Sequence, residues 1–237
     1  MKRLLGNAWL GVDFLSDREG RDPLANQFDA FFQDWKRAHE VDLSFKLTVA
    51  DMQNLLVGMQ RWMEQIDLGI RSTASVDRPT LEREIIDQLQ GSVLEEMQGA
   101  MVSIEESVGK IPEGREATHK FYVRRQIHPL VLCSPFTYRT FHKPLGYAGD
   151  YEMVNMMVRD SYEGGSLFAK LINHAFLQAP PVVAHRNRIS YLTRKLKDEA
   201  ERNAMKGKRT RILNLGCGPA HEVKQFLENE ELSDLCD

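Results

Sequence analysis

The strongest chemical signal in the chain is the run Ile212-Leu213-Asn214-Leu215-Gly216-Cys217-Gly218-Pro219, preceded by the basic residues Arg209 and Arg211 and followed by Ala220-His221-Glu222-Val223. A β-prone run, a Gly-x-Gly turn and a helical pattern at Val223, Phe226 and Leu227 predict strand, turn and helix. Glycines there let the backbone turn tightly and approach a ligand closely. The N–H groups opening the next helix favour an anionic or polar ligand at the strand's carboxyl end. A dinucleotide fingerprint is not met. Its third glycine position is His221, and Glu222 lies far nearer than the ribose acid, which is expected about 20 residues on. His142, His174, His185 and His221 share no metal-ligand spacing, nor do Cys133, Cys217 and Cys236, so no metal is expected. No Ser-His-Asp or paired-carboxylate constellation stands out, and no catalytic residue is assigned.

The elements that must position this turn are read from periodicity. Met52, Leu55, Leu56, Met59, Met63, Ile66 and Ile70 recur in steps of three and four, which predicts a helix from Thr48 to Arg71, with Thr48 and Asp51 as a capping box. After the turn at 75–79, Leu81, Ile85, Leu89, Val93, Met97, Met101 and Ile104 predict a second helix ending near Gly109, the two forming an antiparallel hairpin. The aromatic-rich segment 1–45 (Trp9, Phe14, Phe28, Phe31, Phe32, Trp35) is expected to pack across that hairpin. Residues 129–149, interrupted by proline, are expected to form a long functional loop without regular structure. Asp150 predicts an N-cap for a helix over 151–159, Ser166 caps the next, and Pro180 and Pro181 open a long helix ending near Gly207.

Composition narrows the class. Of 237 residues, 42% are hydrophobic and 27% charged, which excludes collagen-like and wholly disordered chains. The net charge of -3 argues against a surface devoted to nucleic acid. The basic stretch from Arg186 to Arg211 carries ten Lys or Arg against three acids, but Asp198, Glu199 and Glu201 make it a solvated helix face. No apolar run reaches the roughly 18 residues of a membrane span, no signal peptide is evident, and three widely spaced cysteines fit a reducing cytoplasm.

The string from Leu213 to Pro219 resembles motif I of class I S-adenosylmethionine-dependent methyltransferases. Upstream, His142-Lys143-Pro144-Leu145-Gly146-Tyr147-Ala148-Gly149-Asp150-Tyr151-Glu152, then Tyr162-Glu163-Gly164-Gly165-Ser166-Leu167-Phe168 and Ala184-His185-Arg186-Asn187-Arg188-Ile189 are similar to segments of the bacterial 3-hydroxypalmitate methyl ester synthase-like group. The resemblance covers about 120–225. It implies S-adenosylmethionine as cofactor and methylation of the carboxylate of a small or fatty-acid-like molecule. It implies that Asn214, Leu215, Gly216, Cys217 and Gly218 hold the methionine part, Cys217 through its backbone, and that Tyr147 and Asp150 close over it. Asp150 then meets the cofactor's ammonium group or merely caps its helix. Arg186 holds a carboxylate or belongs to the solvated basic face. A carboxylate acceptor is already ionised at neutral pH and needs no general base, so alignment and water exclusion carry the chemistry.

The implied architecture is mainly α: a helical region over 1–110, a helical cap over 111–207, and from 208 to 237 the first strand and helix of a Rossmann-like methyltransferase domain. Only 19 residues follow Gly218, too few for the remaining strands, so the chain is expected to be incomplete or half of a split enzyme. By itself it is expected to show little or no methyl transfer and to bind the cofactor more weakly than micromolar. An exposed strand edge or the helical region could then support homo-oligomers. The alternative is a non-catalytic helical module that dimerises or regulates a partner.

Overall fold

The computed structural model describes residues 28–33, 35–36, 40–72, 77–147, 149–228 and 236, and these are mainly α-helical. From residue 43 on, the described helices are α1 (Leu43–Arg71), α2 (Arg78–Val108), α3 (Glu116–Val131), α4 (Pro135–His142), α5 (Tyr151–Val158), α6 (Leu167–Leu177), α7 (Pro180–Ala204) and α8 (His221–Leu227). The chain divides into two compact units, Met1–Gln65 with Gly91–Val131 and Ile66–Gln90 with Leu132–Asp237. This division by packing cuts through α1 and α2, unlike the partition at 110 and 207 drawn from sequence punctuation.

In the first unit the buried stripe of α1 is Phe45, Val49, Met52, Leu56 and Met63, spaced as one helical face. Val93 and Met97 of α2 and Ile127 and Val131 of α3 are the other buried apolar residues of this unit's helices. His119 of α3 is fully buried: its Nδ1 donates to the Arg115 carbonyl at 2.8 Å, and its Nε2 lies 3.0 Å from Asp42 Oδ2 at the start of α1. Thr48 is not a cap. The helix begins at Leu43, and Thr48 donates its hydroxyl to the Ser44 carbonyl one turn back. Of the aromatics expected to pack inward, Trp9 and Phe14 lie outside the described residues. Phe28, Phe31, Phe32 and Trp35 are exposed on a helical stretch, with Phe32 beside Phe28 and Trp35, so burial is not their role there.

The second unit is built around α6. Leu167, Phe168, Ala169, Leu171, Ile172, Ala175 and Leu177 are all buried, so this helix is apolar on almost every side. Sequence-encoded caps begin α6 and the neighbouring α5. Ser166 accepts from the Ala169 N–H, and Asp150 from the Met153 N–H at 2.8 Å. Just ahead of Ser166, the backbone at Gly164 (φ 159°) runs so close to α6 that a Cβ would sit 2.7 Å from the Lys170 nitrogen.

The segment 129–149 is a correction to the expectation of an irregular loop. Pro129 sits in the last turn of α3, and Pro135 occupies the first turn of α4, where its missing N–H removes no helical hydrogen bond. Ser134 caps α4 through the Thr137 N–H, and Lys143 closes it in the left-handed conformation at φ 46°. Buried Asn173 of α6 fixes this corner: its Oδ1 accepts from Ser134 Oγ and from the Phe136 N–H, while its Nδ2 donates to the Ser161 carbonyl. The prolines that suggested an irregular loop lie at helix starts and ends.

The expected strand at 209–215 is also corrected. The stretch runs without a sheet, and among the described residues its single β pairing is a parallel bridge from Thr210 to Cys236. A strand exists only through its ladder partners, whatever its own propensity. Leu213 and Leu215 are accordingly 84% and 83% exposed.

Candidate functional site

A cleft of about 670 Å³ opens in the second unit, within the range typical of small-molecule sites. Three segments line it. Tyr147 and Gly149 come from the turn before α5 and Tyr151 from its first position, His185 and Arg188 from α7, and Asn214 to Glu222 from the glycine turn and the start of α8. Met153, Val154 and Met157 of α5 with Ile189 and Leu192 of α7 give it an apolar side.

The turn itself follows from its residues. Gly216 and Gly218 both take left-handed backbone, at φ 62° and 54°, which costs a residue with a Cβ about 1 kcal/mol or more. Nothing lies within 4 Å of the position a Gly216 Cβ would take, and at Gly218 the nearest atom is Tyr151 Cβ at 4.0 Å. The glycines therefore leave space open where side chains would intrude. Beyond them α8 is anchored on two sides. Thr193 Oγ1 of α7 lies 3.2 Å from the Glu222 carbonyl and 3.1 Å from Gln225 Oε1. On the other side His221 Nε2 meets Asn155 Oδ1 of α5 at 3.0 Å. Asn155 spends its amide protons on Glu152, so its oxygen faces His221 and the imidazole must donate.

The electrostatics of the cleft are mixed. Glu222 accepts from Asn214 Nδ2 at 3.1 Å, which fixes the asparagine beside the turn. Burial pushes the His185 imidazole below its ordinary range, Arg188 and His221 add to that, and Glu222 opposes them. These influences bias His185 toward its uncharged form. Among the described residues no cluster of His, Cys, Asp or Glu is arranged to hold a metal ion, and no helix is long and apolar enough to cross a membrane.

Six of the residues singled out in the sequence line this one cleft: Tyr147, Asn214, Leu215, Gly216, Cys217 and Gly218. Asp150 and Arg186 are placed elsewhere. Asp150 is buried, capping α5 and paired with Arg139 at 2.9 Å. That guanidinium, with the Met153 N–H, holds its carboxyl below the usual range against the opposing effect of burial. Arg186 donates to the Leu177 carbonyl at 2.9 Å, the Met157 carbonyl at 3.2 Å and Gln178 Oε1 at 3.1 Å, tying α7 to the ends of α5 and α6. It is neither a solvated surface charge nor a lining residue. Tyr151, His185, Arg188, His221 and Glu222 went unassigned by sequence reasoning, although His185 and Arg188 flank Arg186 within the same quoted string.

These residues suit S-adenosylmethionine in part. The glycine turn, the apolar side and the fixed asparagine fit an adenosine-bearing amino acid, whereas the one described carboxylate lining the cleft, Glu222, is already engaged by Asn214. Comparison with family models, curated proteins and solved structures finds no match to this chain.

Proposed function

We propose that this cleft is the cofactor site of an S-adenosylmethionine-dependent methyltransferase acting on the carboxylate of a small or fatty-acid-like molecule. One observation carries the reading: the Tyr147–Tyr151 turn and the Gly216–Gly218 turn, the two segments that bear the methyltransferase resemblance, line one cleft although α5, α6 and α7 separate them in sequence.

When bound, the cofactor supplies an electrophilic methyl group on a sulfonium. The chain's residues bind and orient. Gly216 and Gly218 admit close backbone approach, Asn214 presents a side chain fixed by Glu222, and Tyr147 and Tyr151 offer aromatic faces along the cleft. Met153, Met157 and Ile189 exclude water from the reacting atoms, which aligns the acceptor and strengthens electrostatics in the site. An ionised carboxylate acceptor gives up no proton, so no residue is assigned as general base.

Calorimetric titration of the full chain with S-adenosylmethionine tests the proposal. With few polar contacts, saturable binding is expected with Kd roughly 0.1–1 mM, equivalent to about 4–5.5 kcal/mol. Gly216→Val, which puts a branched side chain into the open turn, is expected to abolish it. A well-folded helical chain that ignores the cofactor at tens of millimolar would instead favour a non-catalytic helical module.

A further inference from the structure

Arg186 and Arg188 stand two residues apart on α7 and serve different ends. Arg186 is consumed by the two backbone carbonyls and the Gln178 side chain that it clamps. Arg188 lines the cleft, is exposed, and has no hydrogen-bonded or ion-paired partner among the described residues. It is also the only Lys or Arg among the described lining residues. A guanidinium is a rigid planar fork that matches two oxygens of one oxyanion, and it keeps its charge at any physiological pH.

We propose that Arg188 is a carboxylate-binding residue of this cleft, taking both oxygens of a monocarboxylate with the His185 imidazole one turn away on the same wall. The inference rests on the reading that the glycine-turn cleft holds a ligand. Glu222, which also lines the cleft, sets the charge class. Its carboxylate repels a polyanion such as a di- or triphosphate, whereas a singly charged oxyanion pairs with Arg188 without forcing a second negative group against it. The apolar stretch from Met153 and Met157 to Ile189 and Leu192 leaves room for the ligand's uncharged part. His185, biased toward its uncharged form, contributes a hydrogen bond rather than charge, so the attraction for the carboxylate comes from Arg188.

The carboxylate has two possible sources, the methionine end of the cofactor and the acceptor acid, and three probes separate them. The wild-type chain, Arg188→Gln, Arg188→Lys and Gly216→Val are each titrated with S-adenosylmethionine, with 5'-methylthioadenosine, which lacks the carboxylate, and with decanoate. Arg188→Gln is expected to weaken at least one carboxylate ligand by about tenfold or more and to leave methylthioadenosine unchanged, and Arg188→Lys to fall between, keeping charge but not the fork. Loss confined to S-adenosylmethionine assigns the methionine carboxylate, and loss confined to decanoate assigns the acceptor. Should Arg188→Gln bind both carboxylates as wild type does while Gly216→Val loses the cofactor, the subsite is wrong and the cofactor cleft stands. Should decanoate alone bind, in an Arg188-dependent way, the subsite stands and the cofactor reading falls. If neither carboxylate saturates the wild-type chain, or if Arg188→Gln weakens methylthioadenosine equally, the proposal is overturned.

Discussion

The corner formed by α5, α6 and α7 and the stretch from Arg209 to Ala220 lie in the same unit and are held by different kinds of interaction. In the corner each helix is fixed by groups within a few residues or by one buried partner: Ser166 and Asp150 cap, Asn173 bridges, Arg139 neutralises Asp150, and Arg186 collects carbonyls. The glycine stretch carries apolar residues too, yet Leu213 and Leu215 face solvent because β structure needs ladder partners that a helix does not. Helical signals are local and complete themselves, while a strand's meaning depends on what lies beside it. The corner then positions one side of the cleft, and the glycine turn supplies a side where Gly216 and Gly218 add no side chain.

That contrast has graded consequences for stability. The largest is expected in the corner: Ile172→Ala removes a fully buried side chain and should cost about 2–5 kcal/mol, read as a lowered denaturation midpoint. Gly164→Ala comes next, at about 1–3 kcal/mol, because its Cβ meets backbone at 2.7 Å with nothing flexible to yield. Asp150→Ala should cost about 1–2 kcal/mol by removing the α5 cap and the partner of Arg139. Leu213→Ser, in the glycine stretch, should change the midpoint by less than about 0.5 kcal/mol. A large loss there would mean that the stretch is packed in solution and would erase the distinction.

Acid should act on this unit through Glu82 of α2, paired to α6, and Asp150 of the corner. Burial alone would raise the Glu82 carboxyl, but hydrogen bonds from Lys170 and Arg78 outweigh it, and its titration lies below the ordinary value. Asp150 is lowered as well. A carboxyl depressed in the folded state contributes stability that is fully present above its unfolded pKa and is lost as pH falls through the folded one. The melting temperature should therefore hold steady at neutral pH and drop below about pH 4. The Glu82→Gln variant should flatten that drop, and an identical acid profile in the variant would remove Glu82 from the explanation.

How much was legible in the sequence follows from the same distinction. Asp150, Ser166 and Pro180 announced their helices because capping is written in one or two residues. The glycine turn was legible too, since left-handed backbone at 216 and 218 favours glycine. Residues 129–149 were misread because proline breaks a helix interior but opens a first turn, and only the Ser134–Asn173 contact, 39 residues apart, settles which applies. Asp150 and Arg186 were assigned to a ligand by residue type. Their partners Arg139, Leu177 and Gln178 are tertiary contacts that no spacing rule reveals.

The most direct test is a map of where the cofactor product binds. Backbone amide shifts of the labelled chain should be followed during titration with S-adenosylhomocysteine. Changes concentrated at Tyr147, Gly149, Tyr151 and Asn214–Glu222, with the residues of α3 unmoved, are the expected result. Saturable changes that leave Gly216 and Gly218 untouched, or no change at tens of millimolar, would contradict a cofactor site at the glycine turn.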